Sequence, residues 1–354
     1  MQTETLIVGA GLSGLALADH LKQGGRDFLL VEAQARPGGR ILTHTHDGGH
    51  FDLGPAWFWP GQPRMAALTQ RFGLTVFDQH SNGDLIFQDR SGAIQRGRGF
   101  ASMEGSLRID GGMGALVSAL ADQIPPERLL MQTRLKRVER TDVGITATLE
   151  SDEGLIEVDA KRVVLAMPPR VIAETVLFDP PLDASEISAM AAIPTWMAGQ
   201  TKVVAIYDQP HWREAGLSGD AMSQRGPMVE IHDASPAKGG PYALFGFVGV
   251  PADVRRKQRG DLLHAAQQQL EMMFGSKMAT PREVILQDWA TIPEITTEAD
   301  LAPVHAHPAY GLPPSLSQIW DRRVILGSTE TAPGFGGYLE GALEAAERVA
   351  VALP

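Results

Sequence analysis

A two-domain α/β fold is the class predicted for this sequence, and three observations lead to it. The chain has 354 residues, more than one hydrophobic core usually serves. A glycine-rich turn, Gly9-Ala10-Gly11-Leu12-Ser13-Gly14, stands between an apolar strand and an alanine- and leucine-rich helix. Strand-rich stretches separate further βαβ-like pieces, the pattern of one domain built from discontinuous segments with a second inserted between them.

The elements follow in order. "TLIVGAGLSGLALADHL" and "DFLLVEA" give strand, helix and strand, a βαβ unit of the expected length. Residues 36 to 63, rich in glycine, histidine, proline and tryptophan, read as a loop. Residues 65 to 74 read as a helix and 76 to 109 as short strands and turns. "GGMGALVSALADQI" is a glycine-entered helix, and the alternating stretch after it is a strand meander ending in a buried strand, Val163 to Ala166. A mixed segment from 170 to about 300 carries a polar helix near 253 to 274. "RVILGSTE" is a late strand and "GGYLEGALEAAERVAVAL" a closing helix. The predicted division assigns 1–78, 106–170 and 290–354 to a nucleotide-binding domain, and 79–105 and 171–289 to a substrate domain.

Composition excludes several functions. A net charge of −11 argues against a nucleic-acid partner, whose phosphates want a basic footprint. With no cysteine, disulfides, thiolate metal sites, a cysteine nucleophile and a thioether-linked cofactor are all ruled out. The N-terminus lacks the positive region of a signal peptide, and no apolar stretch approaches the roughly 18 residues that span a bilayer. A soluble, cytoplasmic protein is the expectation.

The turn at 9–14 is GxGxxG in the strand-to-helix context that gives the pattern meaning. Gly9 permits the tight turn, Gly11 the approach of backbone to a pyrophosphate, and Gly14 close packing of helix on strand. Ser13 joins these three as a predicted cofactor contact, and the helix N-terminus offers N–H groups to the phosphates. Glu32 ends the second strand about 20 residues on, where a carboxylate binds ribose hydroxyls and repels a 2′-phosphate. A second glycine pair, Gly38-Gly39, presents Arg40, a cation suited to neutralising pyrophosphate.

This combination resembles the flavin-containing amine oxidase family, the monoamine and polyamine oxidases and their relatives. "FDLGPAWF" (51–58) is similar to the family's flavin-contacting loop, which implies Gly54, Pro55, Ala56 and Trp57 beside the isoalloxazine or ribityl chain. "TRLKRVERT" resembles the segment whose backbone contacts adenine, implying Leu135. "LGSTETAPGFGGYLEGALEAAERVA" is the most specific match: it implies Glu330 on the ribityl chain, the Leu339 amide facing the flavin pyrimidine, and Tyr338 and Phe335 as aromatic walls. The helix entered at Gly336-Gly337 also has a dipole that favours the negative charge of a reduced flavin. Trp289 resembles the family tryptophan ahead of the flavin-contacting loop. The fold implied is a Rossmann-type FAD-binding domain assembled from discontinuous segments plus a mixed sheet and helix substrate domain.

Lys202 heads the apolar run Val203-Val204-Ala205-Ile206-Tyr207. Two readings are open: a strand-end lysine reaching for water, or, through the register of Pro210 and Trp212, the family lysine that holds a water against flavin N5. Buried ammonium needs a polar partner, and the resemblance favours the second reading. Two departures stand out. The segment after residue 78 is shorter than in larger family members, and "LAPVHAHPAYGLP" (301–313) matches neither a second aromatic wall nor a cysteine-linked flavin.

Other signals are discounted. His44, His46, His50, His305 and His307 have no further ligand evident in the sequence, so no metal is expected. "RRKQR" (255–259) reads as a solvated helix face, and Met272 and Met273 as core packing. The expectation is an oxidase with non-covalent FAD, taking a hydride equivalent from the carbon beside an amine nitrogen. Imine hydrolysis and dioxygen reduction to hydrogen peroxide would follow. The alternatives are an L-amino-acid oxidase or desaturase of the same fold, and a flavin-binding protein without turnover. Oligomeric state is open.

Overall fold

A computed structural model describes residues 1–99, 102–257, 259–302 and 306–353. Two sheets organise it. The first has the order Leu177–Asp179, Arg134–Arg140, Ile145–Ser151, Gly154–Leu165, Gln2–Val8, Phe28–Val31, Leu129–Leu130, with Val324–Leu326 also on Gly154–Leu165. Its nucleotide-binding half is parallel: Leu6 pairs with Val163 and Leu29, and Val164 with Ile325. Parallel strands are covered on both faces and therefore read as continuous apolar runs, as "TLIV" and "FLLV" do. Ile7 and Leu30 face the helices Leu12–Gln23, Gly114–Ala121 and Leu339–Ala352, while Leu6, Val8 and Leu29 face Pro169–Thr175 and Ala184–Ala191. The helix Pro169–Thr175 straddles residue 170, and the strand Leu177–Asp179 and the helix Ala184–Ala191 lie past it, so the layers of the first sheet reach further along the chain than the predicted division.

The second sheet runs Glu283–Asp288, Thr201–Tyr207, Tyr242–Val248, Met228–Asp233, Leu217–Ser223, Asp84–Gln88, Ile94–Gly97. Val203 and Ala205 point to the helix Arg259–Phe274, and Val204 and Ile206 to Phe51 and Leu53 from the N-terminal segment. Lys202, two residues before Val204, therefore shares the face turned toward the first body.

Three local readings are corrected. The stretch 36–63 contains a hairpin, Thr43–His46 with Gly49–Asp52, closed by Asp47 (φ 46°) and Gly48 (φ 79°). Two consecutive positive φ angles suit a type I′ turn, and Asp-Gly is its sequence signal. Arg255 is not on a solvated face: it is 4% exposed and donates to both carboxylate oxygens of Asp288, while Gln258 lies outside the described residues. Met273 is core, but Met272 is exposed. Among the described residues, no helix is long and apolar enough to cross a membrane.

Candidate active site

A cavity of about 660 Å³ runs between the two sheets. Gly9, Gly11, Ser13, Glu32 and Leu135 line one end. Arg40 and the 54–57 loop lie along it, and Lys202, Trp289, Tyr338 and Leu339 line the other. Of the predicted site residues, only Gly14, Glu330 and Phe335 stand outside its wall.

At the glycine turn, Gly9 has φ +102° and a Cβ there would meet the Ala166 carbonyl at 2.9 Å. A Cβ on Gly14 would lie 1.9 Å from the Gly9 carbonyl, so this glycine acts behind the wall by letting the helix sit on the strand. At Gly11 a Cβ would have nothing within 4 Å, leaving open space toward the cavity. Glu32 is 6% exposed and accepts from the Ala10 and Gln34 amides at 2.7 and 2.8 Å. Burial raises its pKa against those two bonds.

Arg40 and Glu330 meet at 2.7 Å. Glu330 is fully buried, and beyond this ion pair neither carboxylate oxygen has a hydrogen-bond partner. Ser328 Oγ next to it is also unsatisfied. Buried polar atoms are normally paired, so the carboxylate awaits a donor such as a ligand hydroxyl, and Ser328 Oγ a ligand oxygen. With the open cradle at Gly11, they fit a flavin dinucleotide.

Gly54 can carry no side chain, because a Cβ would sit 2.0 Å from the Arg40 carbonyl and 3.4 Å from the Trp289 ring. The Trp289 indole donates to the Leu53 carbonyl at 3.1 Å, and Trp57 packs 5.2 Å from Phe245. This tight loop holds Lys202. The ammonium is 2% exposed and donates to the Gly54 carbonyl at 2.7 Å and the Asp52 carbonyl at 3.1 Å, with the Phe245 ring centroid 4.0 Å away. It is not a strand-end lysine in water. Burial pushes its pKa down to about 7, with Asp52 opposing and Arg108 assisting the shift.

Sequence reasoning missed several wall residues. Phe247 pairs with both Lys202 and Glu230 across neighbouring strands, which brings all three onto one row. Glu230 lines the cavity about 10 Å from Lys202, two strand spacings away. Its pKa is lowered by the hydrogen bond from His232, a buried imidazole that also bonds Asp220 at 2.6 Å. Trp59 and Trp196 complete the aromatic lining. Phe335 does not serve as a wall; its amide is tied to Glu344 at 3.0 Å, outside the cavity. The ring beside Tyr338 is His307, stacked at 4.7 Å and 9°. His305 lies outside the described residues. Arg64, Arg98 and Arg225 do not line the cavity; Arg64 pairs with Glu340 and Glu347.

The histidine reading also needs correction, since a further potential ligand exists. Glu283 lies 3.0 Å from His44 Nε2 and 2.7 Å from His46 Nδ1. The carboxylate comes from the second sheet, 239 residues beyond His44, where no local spacing could reveal it.

The parallel sheet with its glycine turn is a nucleotide-binding α/β architecture, and the second sheet closes a cavity over it. The chain belongs to the flavin containing amine oxidoreductase family, whose model matches residues 87–354, and a Rossmann-like NAD(P)-binding domain model matches residues 7–72. It is 26% identical to AofH of Mycobacterium tuberculosis, which carries the name of a flavin-containing monoamine oxidase, over 98% of this chain and 95% of that protein. It is 21% identical to the putrescine oxidase of Kocuria rosea over 73% and 77%. Wild-type putrescine oxidase bound to putrescine superposes with a TM-score of 0.83 at 19% identity, covering 100% and 99% of the two chains. Cyclohexylamine oxidase from Brevibacterium oxydans gives 0.80, also at 19%, covering 99% and 98%.

Proposed function

We propose that this protein is an FAD-dependent oxidase of small amines, with the flavin held non-covalently. The observation that carries the reading is Lys202, a buried lysine clamped by two carbonyls at the aromatic end of a cavity that reaches the glycine turn. When bound, FAD accepts a hydride equivalent from the carbon beside the amine nitrogen and passes the electrons to dioxygen, giving hydrogen peroxide. The residues named by sequence divide the work. Gly9, Gly11, Ser13, Glu32, Arg40 and Leu135 would hold the adenine, ribose and pyrophosphate; Gly54, Pro55, Ala56, Trp57, Glu330 and Leu339 the ribityl chain and ring.

The chain's own contribution at the reacting end is dryness and charge. Tyr338, Trp59 and Phe247 exclude water and disfavour the ammonium form of the substrate, whose neutral nitrogen is the one that reacts. Trp289 and Tyr338 orient it. Lys202 is poised to hold a water at the ring and to place a positive charge where dioxygen is reduced. Glu230 draws cationic amines into the cavity and opposes a substrate carboxylate. The arginines lining the cavity, Arg40 and Arg134, are engaged by Glu330 and Glu294. These features favour amines over amino acids.

The test is a panel of primary, secondary and di-amines with L-amino acids, read by peroxide release and by anaerobic bleaching of the flavin. Bleaching and peroxide with amines alone is the expected result. Turnover confined to amino acids would transfer the reading to an amino-acid oxidase, and no bleaching by any member would leave a flavin-binding protein without turnover.

A further inference from the structure

We propose that His44, His46 and Glu283 form a binding site for a divalent transition-metal ion of the zinc class, outside the cavity. His44 and His46 alternate along one strand and so present their imidazoles on one face. Both rings converge on a single atom, Glu283 Oε2, at 3.0 and 2.7 Å, and the three ligand atoms lie within 4.8 Å of one another. Zinc bound at roughly 2.0–2.2 Å to each would separate tetrahedral neighbours by about 3.4 Å, so the two histidine–carboxylate distances would open by about 0.4 and 0.7 Å.

Two imidazoles and a carboxylate are a ligand set that binds this class of ion with a water in the fourth position. The side chains are 30%, 25% and 35% exposed, which leaves that position open to solvent. The carboxylate of Asp47 stands 3.5 Å from His46 Nε2, near enough to turn toward the outer ring nitrogen. The guanidinium of Arg282, next in the chain to Glu283, is occupied by Asp208.

The ion would tie the Thr43–His46 hairpin to the strand Glu283–Asp288. The hairpin continues into Asp52 and Gly54, whose carbonyls hold Lys202, and the strand is hydrogen-bonded to the one that carries Lys202. Its role is a clasp between the two bodies, toward the end of the strand opposite Lys202, and it needs no part in the oxidation.

Zn²⁺ titrated into the untagged flavoprotein by calorimetry tests this. One equivalent should bind in the micromolar range and raise the melting temperature. His44→Ala and Glu283→Gln should each weaken binding at least about tenfold, with the flavin spectrum unchanged as the sign of an intact fold. His50→Ala, on the same hairpin, should bind as the parent does. Absence of one-equivalent binding, equal affinity in the two ligand variants, or loss of binding in His50→Ala would each overturn the site.

Discussion

Lys202 costs the fold something, and the proposed function gives its charge a use. Taking an ammonium out of water is unfavourable, and its depressed pKa of about 7 expresses that cost. Lys202→Met keeps the length and apolar volume. Its expected effect is a modest change in anaerobic reduction by amine and a slowing of reoxidation by dioxygen on the order of a hundredfold, read by stopped flow of the two half-reactions. The pH dependence has a definite sign. A lysine with a folded pKa near 7 is charged below that value, so reoxidation in the parent should decline as pH rises through 7, and the variant should lose the dependence. Equal reoxidation rates in both would refute the charge argument. Glu32 makes a second test. Each of its oxygens already serves one backbone amide and retains a lone pair for a ribose hydroxyl. Glu32→Ala should weaken FAD binding roughly ten- to a hundredfold, about 1.5–3 kcal/mol, in a titration of apoprotein. Unchanged affinity would remove it from the site.

At the scale of elements, the glycine turn separates two kinds of necessity. Gly14→Ala places a methyl 1.9 Å from a backbone carbonyl that cannot move aside, so the helix must lift from the strand. A loss of about 1–3 kcal/mol in thermal or urea unfolding is expected. Gly11→Ala meets nothing in the protein and should leave apoprotein stability nearly unchanged while weakening flavin binding. Equal destabilisation by the two would mean that the turn serves the fold alone. The turn was legible because its glycines, strand and helix are neighbours in the chain. The positions of Glu32, Gly54 and Leu339 on the cavity wall were legible through contiguous motifs in the same way. Glu230, Phe247 and Glu283 were not: their places follow from strand register across the second sheet, which local periodicity does not encode. Phe335 stands outside the cavity wall although it lies inside the same motif as Tyr338 and Leu339.

For the whole molecule, the two sheets meet around the cavity, and the proposed cofactor would touch both. With no cysteine in the chain, acid or heat should release all the flavin as FAD into the supernatant. Yellow colour remaining with the precipitate would contradict a non-covalent bond, and FMN would undo the assignments around Leu135. The two-body plan was legible from the alternation of apolar runs and helices. The reach of the first sheet's layers past residue 170 was not, because Leu177–Asp179 is a three-residue strand that only its pairing with Arg134–Arg140 identifies.

That interleaved plan sets a timetable for biosynthesis. The strand Gly154–Leu165 must wait for Val324–Leu326 to cover its flank, and 158 residues lie between the end of one and the start of the other. At ribosomal speeds of about 5–20 residues per second, that interval is roughly 8–30 s. During it, Val163 and Val164 lack a neighbour that the finished protein supplies, and Glu330, Tyr338 and Leu339 have yet to be made. The nascent chain therefore meets its cofactor late, with an apolar strand exposed to chaperones first.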